Sequence, residues 1–219
     1  MINIFPTSIY KHSLPEYVRW ISRRWEHHRF NQGLTGELDG KVLVHQDPQL
    51  ASFFCEVNDH IVEYMDSMNC FYDVHFMKTW YAVTDEERSV PDHCHDPAHI
   101  SWIYYVETQD PLHFQADAPN EWFPQAFADL EKTFNNTTVW AEPTEPGDLF
   151  IFPATQQHQV YPFRTADGKG ERRSVSFNAS FTTKREQEYL ERQRKDQSYR
   201  ENFVIGSGSI YSVGSSENI

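Results

Sequence analysis

The sequence predicts a mainly β fold with flanking helices, in which antiparallel strands form a sandwich or barrel. Residues 72–182 contain many short runs rich in β-branched and aromatic residues, bounded by Pro, Gly and Asp clusters. Many short runs of this kind suggest an antiparallel sandwich or barrel. Aromatic residues make up 15% of the chain, which suits a β-rich core. The 219 residues are enough for one large core, so a single domain over 1–219 is expected.

Strands are expected wherever such a run is bounded by turn residues. The candidates are Val74–Val83, Ile100–Glu107, Leu112–Phe114, Leu149–Phe152, Gln157–Tyr161 and Arg172–Phe181. Between the third and fourth of them, residues 115–145 resemble a long insertion with a short helix around Pro124–Phe134. Long loops on a β scaffold often line a functional site.

Residues 1–71 are expected to form a helical N-terminal support for the β core of residues 72–182. Ser13 and Glu16 have the spacing of a capping box, which predicts a first helix. Asp47 and Pro48 predict the start of a second helix. Its apolar stripe, which predicts core packing, comprises Leu50, Phe53, Phe54, Val57, Ile61, Tyr64 and Met68. Residues 183–219 are expected to be a charged helix over Lys184–Lys195 and a loose polar tail.

Charge and composition argue against several classes of protein. A net charge of −13 disfavours general nucleic-acid binding and docking on anionic membranes. No apolar run approaches the length of a transmembrane helix, and the N-terminus lacks the pattern of a signal peptide. The three cysteines, Cys55, Cys70 and Cys94, match no disulfide framework or zinc ribbon. A reducing cytoplasm is therefore the expected setting.

A pair of histidines precedes the strongest strand candidate. His93 and His95 are two residues apart, and in extended chain such side chains point the same way. Both imidazoles can then reach one metal ion. Further on, Pro146, Gly147 and Asp148 predict a tight turn into an apolar strand, after which His158 opens the next strand. This turn and His158 are equally consistent with an ordinary β-turn followed by an exposed histidine that binds no metal.

The last strand candidate alternates sharply between polar and apolar residues. One face has Arg172, Ser174, Ser176, Asn178 and Ser180, and the other has Arg173, Val175, Phe177, Ala179 and Phe181. The polar face is either a solvated outer surface or the lining of a barrel that holds a charged ligand. In the second interpretation, Arg172 and Ser174 bind a carboxylate, to which a guanidinium can donate two parallel hydrogen bonds.

The order of these pieces resembles the Fe(II)/2-oxoglutarate-dependent oxygenase superfamily, and most closely a small 2OG-Fe(II) oxygenase group of marine bacteria and phages. The matching stretches, about half of the chain, are HCHDPAHISWIYYVE, PGDLFIFPATQQHQVYPF and ERRSVSFN, which begin at His93, Pro146 and Glu171. The resemblance implies a double-stranded β-helix (cupin/jelly-roll type) core. It also implies an oxidoreductase with Fe(II), 2-oxoglutarate and O₂ as its cofactor and co-substrates.

The resemblance assigns roles to six residues. The iron ligands would be His93, His95 and His158. His95 stands at the position where relatives have an Asp. Asp96 is the alternative ligand to His95, and it would need a kink in the backbone before Pro97. Arg172 and Ser174 would bind the far carboxylate of 2-oxoglutarate, since Arg172 shares a face with Ser174 and Arg173 does not. Tyr105 matches a tyrosine that often contacts 2-oxoglutarate in relatives.

The expected reaction is hydroxylation of a C–H bond in an unidentified small-molecule or protein substrate, with release of succinate and CO₂. Two alternatives remain open at this point. A three-histidine cupin dioxygenase would use no 2-oxoglutarate. A non-enzymatic cupin-fold module would serve only as a binding or structural domain. Nothing in the sequence indicates an oligomeric state.

Overall fold

The computed structural model describes residues 7–25, 44–70, 73–85, 89–108, 110–116, 137–161 and 170–182. Three single-turn 3₁₀ helices occur at Pro15–Tyr17, Val44–Gln46 and Pro48–Leu50. The longer elements, in chain order, are β1 (Tyr10–Ser13), α1 (Val18–Trp25), α2 (Ala51–Ser67), β2 (Asp73–Thr84), β3 (Val90–His93), β4 (Ile100–Glu107), β5 (Leu112–Gln115), β6 (Val139–Glu142), β7 (Asp148–Pro153), β8 (His158–Val160) and β9 (Arg172–Thr182).

The strands form two sheets, and each pairing between the described strands is antiparallel. The first sheet has the order β1-β7-β4-β9-β2 and the second the order β3-β8-β5-β6. The predicted mainly β fold with flanking helices is confirmed. Strands distant in sequence, such as β4 and β9, are hydrogen-bonded neighbours, which brings residues from separate motifs together.

Two apolar layers lie on opposite faces of the five-stranded sheet. On one face α2 packs on the sheet, with the ring of Phe53 4.9 Å from that of Tyr104 and Trp102 stacked on Phe177 at 4.2 Å. On the other face a smaller cluster lies between the sheets. It comprises Ile103, Tyr105, Leu112, Phe114, Phe150, Phe152 and Val160. The alternation along β4 therefore separates a structural face from a face that lines the space between the sheets.

The start of the second helix agrees with the sequence. The Asp47 carboxylate accepts a hydrogen bond from the backbone N–H of Gln49 at 3.0 Å, and Pro48 follows it. The predicted apolar stripe is buried as far as Tyr64. Met68, however, lies beyond the end of α2 and is 42% exposed, while Met65 is buried in its place. The buried stripe therefore ends at Met65, three residues earlier than predicted.

The predicted capping box at the first helix is wrong. Ser13 is the last residue of β1, which pairs with β7, and Leu14 rather than Ser13 precedes the 3₁₀ turn at Pro15–Tyr17. Tertiary pairing overrides the local signal here, because the β1 backbone is hydrogen-bonded to the edge of a sheet. The backbone N–H of Leu14 also donates to the carbonyl of Gly147 at 2.8 Å.

Gly147 meets this segment closely and needs to be glycine. Its φ is +99°, and a Cβ atom at this position would lie 2.8 Å from Cα of Pro15. The tight turn predicted at Pro146–Asp148 therefore also fixes the N-terminal segment against the sheet.

Three strands were missed. β1 lies where the capping box was predicted. β6 lies inside the predicted insertion of residues 115–145 and pairs with β5, with Gln115 opposite Val139. β3 was interpreted only as a histidine motif because Pro91 and Asp92 are poor strand residues. The predicted helices at Pro124–Phe134 and Lys184–Lys195, and the C-terminal tail, lie outside the described residues. None of the described helices combines the length and the apolar character that crossing a membrane requires.

His45 gives the fold a pH-dependent stability. It is 2% exposed beneath α2, where desolvation lowers its pKa to about 4. The unfolded chain takes up this proton near pH 6.5 and the folded chain only near pH 4, so the free energy of unfolding falls as pH drops through that window. We expect a loss of about 3 kcal/mol between pH 7 and pH 4 from this group. In urea unfolding, His45→Gln should show a smaller loss than the wild type, and equal losses would contradict this account.

Candidate active site

A cavity of about 360 Å³ opens between the two sheets. Its lining comes from β2, β4 and β9 of one sheet and from β3 and β8 of the other. On β9 the lining residues include Arg172, Ser174, Ser176 and Asn178, which is the polar face that the sequence predicts. Of the two interpretations of that face, the structure therefore shows the interior lining and not a solvated surface.

The strand register shows which residues lie at each end of the cavity. At one end Lys78 of β2 lies opposite Asn178 of β9, which in turn lies opposite Ser101 of β4. At the other end Thr84 lies opposite Arg172. Lys78 is exposed, whereas Arg172 is 2% exposed, so the cavity runs from an accessible end to a buried cationic end.

Three histidines converge on the cavity. His93 and His158 lie opposite each other in β3 and β8, and His95 follows β3 in a turn. One ligand nitrogen from each residue lies within 4.8 Å of the others. The ring centroids are 4.3 Å apart for His93 and His158, 4.8 Å for His93 and His95, and 5.1 Å for His95 and His158. This spacing allows all three nitrogens to reach one metal ion.

Backbone carbonyls set the tautomers of two of these rings. Nδ1 of His93 lies 2.8 Å from the carbonyl oxygen of Pro91, and Nδ1 of His158 lies 2.9 Å from that of Gln156. A carbonyl only accepts hydrogen bonds, so Nδ1 carries the proton in each ring. The lone pair then lies on Nε2, and an outer hydrogen bond of this kind fixes the orientation of many metal-binding histidines.

Burial keeps two of the three rings, those of His95 and His158, in the uncharged form that binds metals. Desolvation is the main cause that lowers the pKa of His158 to about 3 and that of His95 to about 4. Both imidazoles are therefore neutral near pH 7, and metal binding there does not have to displace a proton from them.

No carboxylate joins this group among the described residues. Asp96 follows His95 but is exposed in the turn, outside the three-histidine group. His95 lies inside it, with its backbone N–H donating to the carbonyl of Ala154 at 2.8 Å. The donor set that the described residues assemble is three imidazoles.

Arg172 is held in place at the buried end of the cavity. Its Nε donates to Oγ1 of Thr108 at 3.2 Å, and its Nη2 donates to the backbone carbonyls of Asp110 and Pro111. Oγ1 of Thr108 in turn lies 2.7 Å from Oγ1 of Thr144. The loop before β5 thus fixes the direction of the guanidinium without neutralising its charge.

The buried end fits a carboxylate. Nη1 of Arg172, the Tyr105 hydroxyl and the Thr84 hydroxyl are all buried without a hydrogen-bond partner, and all three residues line the cavity. No carboxylate of the described residues lies within ion-pair distance of Arg172. A buried charge and buried donors that have no partner among the described residues are costly, so this end can accommodate an anionic ligand.

Tyr105 can act there as a donor. The Arg172 guanidinium lies over its ring, 5.1 Å from the centroid. Burial, only partly offset by the nearby Arg172 charge, raises the pKa of Tyr105 to about 12, so the phenol keeps its proton at neutral pH. Ser174 lies opposite Tyr105 on β9 and is 7% exposed.

Sequence reasoning missed Thr84. Nothing in its local sequence marks it, since a threonine at a strand end is common. The signal appears only with the register, which places Thr84 opposite Arg172 and leaves its hydroxyl buried without a partner.

The comparisons with known proteins agree with this geometry. Residues 78–178 match the family model described as "Putative 2OG-Fe(II) oxygenase". The matched segment begins inside β2 and ends inside β9, so it includes all three histidines, Arg172 and Ser174. None of the curated proteins matches the sequence.

Solved structures share the fold at low sequence identity. HygX from Streptomyces hygroscopicus, with nickel and 2-oxoglutarate bound, is 11% identical, with a TM-score of 0.54 over 80% of this chain and 82% of that one. A prolyl hydroxylase from Trichoplax adhaerens, in complex with a hypoxia inducible factor peptide fragment, is 11% identical, with a TM-score of 0.52 over 84% of this chain and 87% of that one. At this identity the likeness shows the fold alone.

The fold and the family match define an oxidoreductase with a double-stranded β-helix, or jelly-roll, core. The chain is similar to the 2OG-Fe(II) oxygenases over residues 78–178, slightly less than half of its length, and members of that family use Fe(II), 2-oxoglutarate and O₂. The narrower grouping with proteins of marine bacteria and phages stays a prediction.

Proposed function

We propose that the protein is a dioxygenase in which His93, His95 and His158 hold Fe(II) and Arg172 binds the far carboxylate of 2-oxoglutarate. It would hydroxylate a C–H bond of a substrate and release succinate and CO₂. One observation carries this proposal: a three-histidine group and a buried guanidinium, which no carboxylate of the described residues neutralises, share one cavity. A dicarboxylic acid that chelates a metal at one end needs a cation at the other.

The residues at the buried end would orient the co-substrate. Arg172 presents Nη1, Tyr105 and Thr84 present hydroxyl groups, and Ser174 completes the wall between them. The guanidinium is held by Thr108 and by the backbone carbonyls of Asp110 and Pro111, so its direction is fixed by the protein itself. Preorganised donors lose little entropy on binding, which favours tight and directional recognition.

The metal end would differ from the arrangement that is common in the superfamily. His95 takes the place of the usual carboxylate, so all three protein ligands are neutral and the bound iron keeps its full charge. When bound, the iron supplies the redox centre at which O₂ oxidises 2-oxoglutarate and the substrate. The apolar side chains of Val90, Ile103 and Val160 line the cavity and help to exclude water from it.

A thermal-shift experiment tests the cofactor assignment. With Fe(II) under nitrogen, 2-oxoglutarate at about a hundred times its Kd should raise the melting temperature by roughly 5–10 °C, because it binds only the folded state. Succinate, which lacks the keto group and cannot chelate the metal in the same way, serves as the matched control ligand and should have a smaller effect.

The same experiment separates the alternatives. A three-histidine cupin dioxygenase would be stabilised by Fe(II) but not further by 2-oxoglutarate. A non-enzymatic module that binds no metal would respond to neither. Either pattern would contradict the proposal.

A further inference from the structure

The carbonyl that holds the Nδ1 proton of His158 belongs to the turn between β7 and β8. The backbone N–H of Gln156 donates to the carbonyl of Pro153 at 2.9 Å, which closes this turn. The carbonyl of Gln156 then lies 2.9 Å from Nδ1 of His158. The position of one acceptor atom in a connecting segment therefore decides where the lone pair of a buried histidine points.

Apolar packing alone does not select this orientation of the His158 ring. The ring of Phe152 packs edge-on against the imidazole, with centroids 4.9 Å apart and an interplanar angle of 67°. An imidazole fills nearly the same volume after a half-turn about its Cβ–Cγ bond, a torsion whose preferences are broad and roughly two-fold. The half-turn exchanges Nδ1 with a carbon atom and moves Nε2 out of the three-histidine group. An acceptor in a fixed position distinguishes the two orientations.

The side chain of Gln156 fixes that acceptor. It is 4% exposed, and its Nε2 donates to the backbone carbonyls of Gln115 at 2.5 Å and Gln157 at 2.9 Å. Gln115 ends β5, the strand that pairs with β8, and its backbone N–H donates to the carbonyl of Gln157 at 2.9 Å. The amide thus ties the turn to the neighbouring strand. A buried amide keeps such bonds, because losing them leaves polar groups unpaired.

His93 obtains its orientation in a different way. Its Nδ1 proton is held by the carbonyl of Pro91, which lies within β3, and β3 pairs with β8. The Gln156 carbonyl lies outside the regular strands, in the segment that precedes β8. The support from the Gln156 side chain is therefore specific to His158, and His93 provides an internal control in the same molecule.

We propose that Gln156 is a positioning residue for the metal site. Its side-chain amide holds the Gln156 carbonyl in place, and this carbonyl selects the Nδ1–H tautomer and one ring orientation of His158, which leaves Nε2 to bind the metal. Gln156 is not itself a ligand and acts only through His158. The inference rests on the proposed function in one respect, that the three-histidine group is the metal site.

Nuclear magnetic resonance of the isotope-labelled, metal-free protein tests the tautomer directly. In long-range proton–nitrogen correlation spectra, the two tautomers of a neutral histidine give different patterns of cross-peaks. We expect His158 of the wild type to be in the Nδ1–H form at neutral pH, with a proton that exchanges slowly with water because the ring is buried. A wild-type protein in which His158 is mainly in the Nε2–H form would overturn the inference before any variant is made.

Gln156→Met assigns the tautomer to the Gln156 side chain, because methionine keeps the length of the side chain and removes both donated bonds. The Nε2–H form of His158 should appear in this variant, while His93 keeps its Nδ1–H pattern and so reports that the fold is intact. Gln157→Met is the matched control, since the Gln157 side chain makes no hydrogen bond in the part of the chain that the structure describes. It should leave both patterns unchanged. The inference is wrong if Gln156→Met does too.

Competition titration of Ni(II) against a chromophoric chelator extends the test to the metal. Gln156→Met should bind Ni(II) about tenfold or more weakly than the wild type, and Gln157→Met within about twofold of it, because residues that orient metal ligands typically contribute ten- to hundredfold. Unaltered affinity in Gln156→Met, with tight binding by the wild type, would overturn the inference alone. A wild type that binds no Ni(II) would defeat the proposed function as well, and the tautomer measurement, made without metal, separates the two failures.

Discussion

Arg172→Met is expected to weaken 2-oxoglutarate binding by about thirtyfold or more, measured by calorimetry with Ni(II) under nitrogen. The side chain is 2% exposed and no carboxylate of the described residues neutralises it, so it meets its ligand in a desolvated site. Removing one partner from a buried charge pair typically costs about 2–5 kcal/mol. Methionine keeps much of the volume, so the loss reports charge and hydrogen bonding more than packing.

The neighbouring arginine provides a matched control. Arg173 lies on the opposite face of β9, where it is paired with Glu171 at 2.7 Å and Glu107 at 3.6 Å. Arg173→Met should leave 2-oxoglutarate affinity within about twofold, because surface ion pairs contribute little. A loss in Arg173→Met equal to that in Arg172→Met would contradict the assignment of the carboxylate to the buried end of the cavity.

His158→Ala is expected to weaken metal binding by at least about a hundredfold, since even residues that only support metal ligands contribute ten- to hundredfold. His158 is 2% exposed, and its Nδ1 proton is held by the Gln156 carbonyl, so its lone pair is fixed toward the other two histidines. The measurement is a competition titration of Fe(II) or Ni(II) against a chromophoric chelator. The melting temperature of the metal-free variant shows whether the fold survives.

His99→Ala is the control for that variant. His99 comes from the same segment as His93 and His95, but it is exposed and stacks on Phe181 with ring centroids 4.2 Å apart. Its removal should leave metal affinity unchanged within about twofold. Tight metal binding by His158→Ala would show that the three-histidine group is not the metal site.

Strand identity and face were predictable because alternation is a local property. The parity of β9 assigns Arg172 and Ser174 to one face and Arg173 to the other, and the cavity lining agrees with it. The turn at Gly147 was also predictable from the sequence. β1 and β6 were not predictable, because each is a short strand whose stability comes from its partner and not from its own residues.

The candidate site was only partly predictable, for a related reason. Motifs supplied the histidines, Arg172, Ser174 and Tyr105, and their proximity in the structure follows from pairings between distant strands. Thr84 and Lys78 carry no motif. Their places in the cavity depend on the β2–β9 register, which includes an irregularity between Phe76 and Lys78. Such a shift reverses the parity of the residues before it, and no local pattern reveals it.

The visible absorption spectrum under nitrogen tests the central claim most directly. When Fe(II) and 2-oxoglutarate are added to the wild-type protein, chelation of the iron by the keto acid should produce a weak charge-transfer band. The band should be absent in His158→Ala and weaker in Arg172→Met at the same 2-oxoglutarate concentration. No band from a wild-type protein that demonstrably binds iron would contradict the account and favour a cupin dioxygenase that works without 2-oxoglutarate.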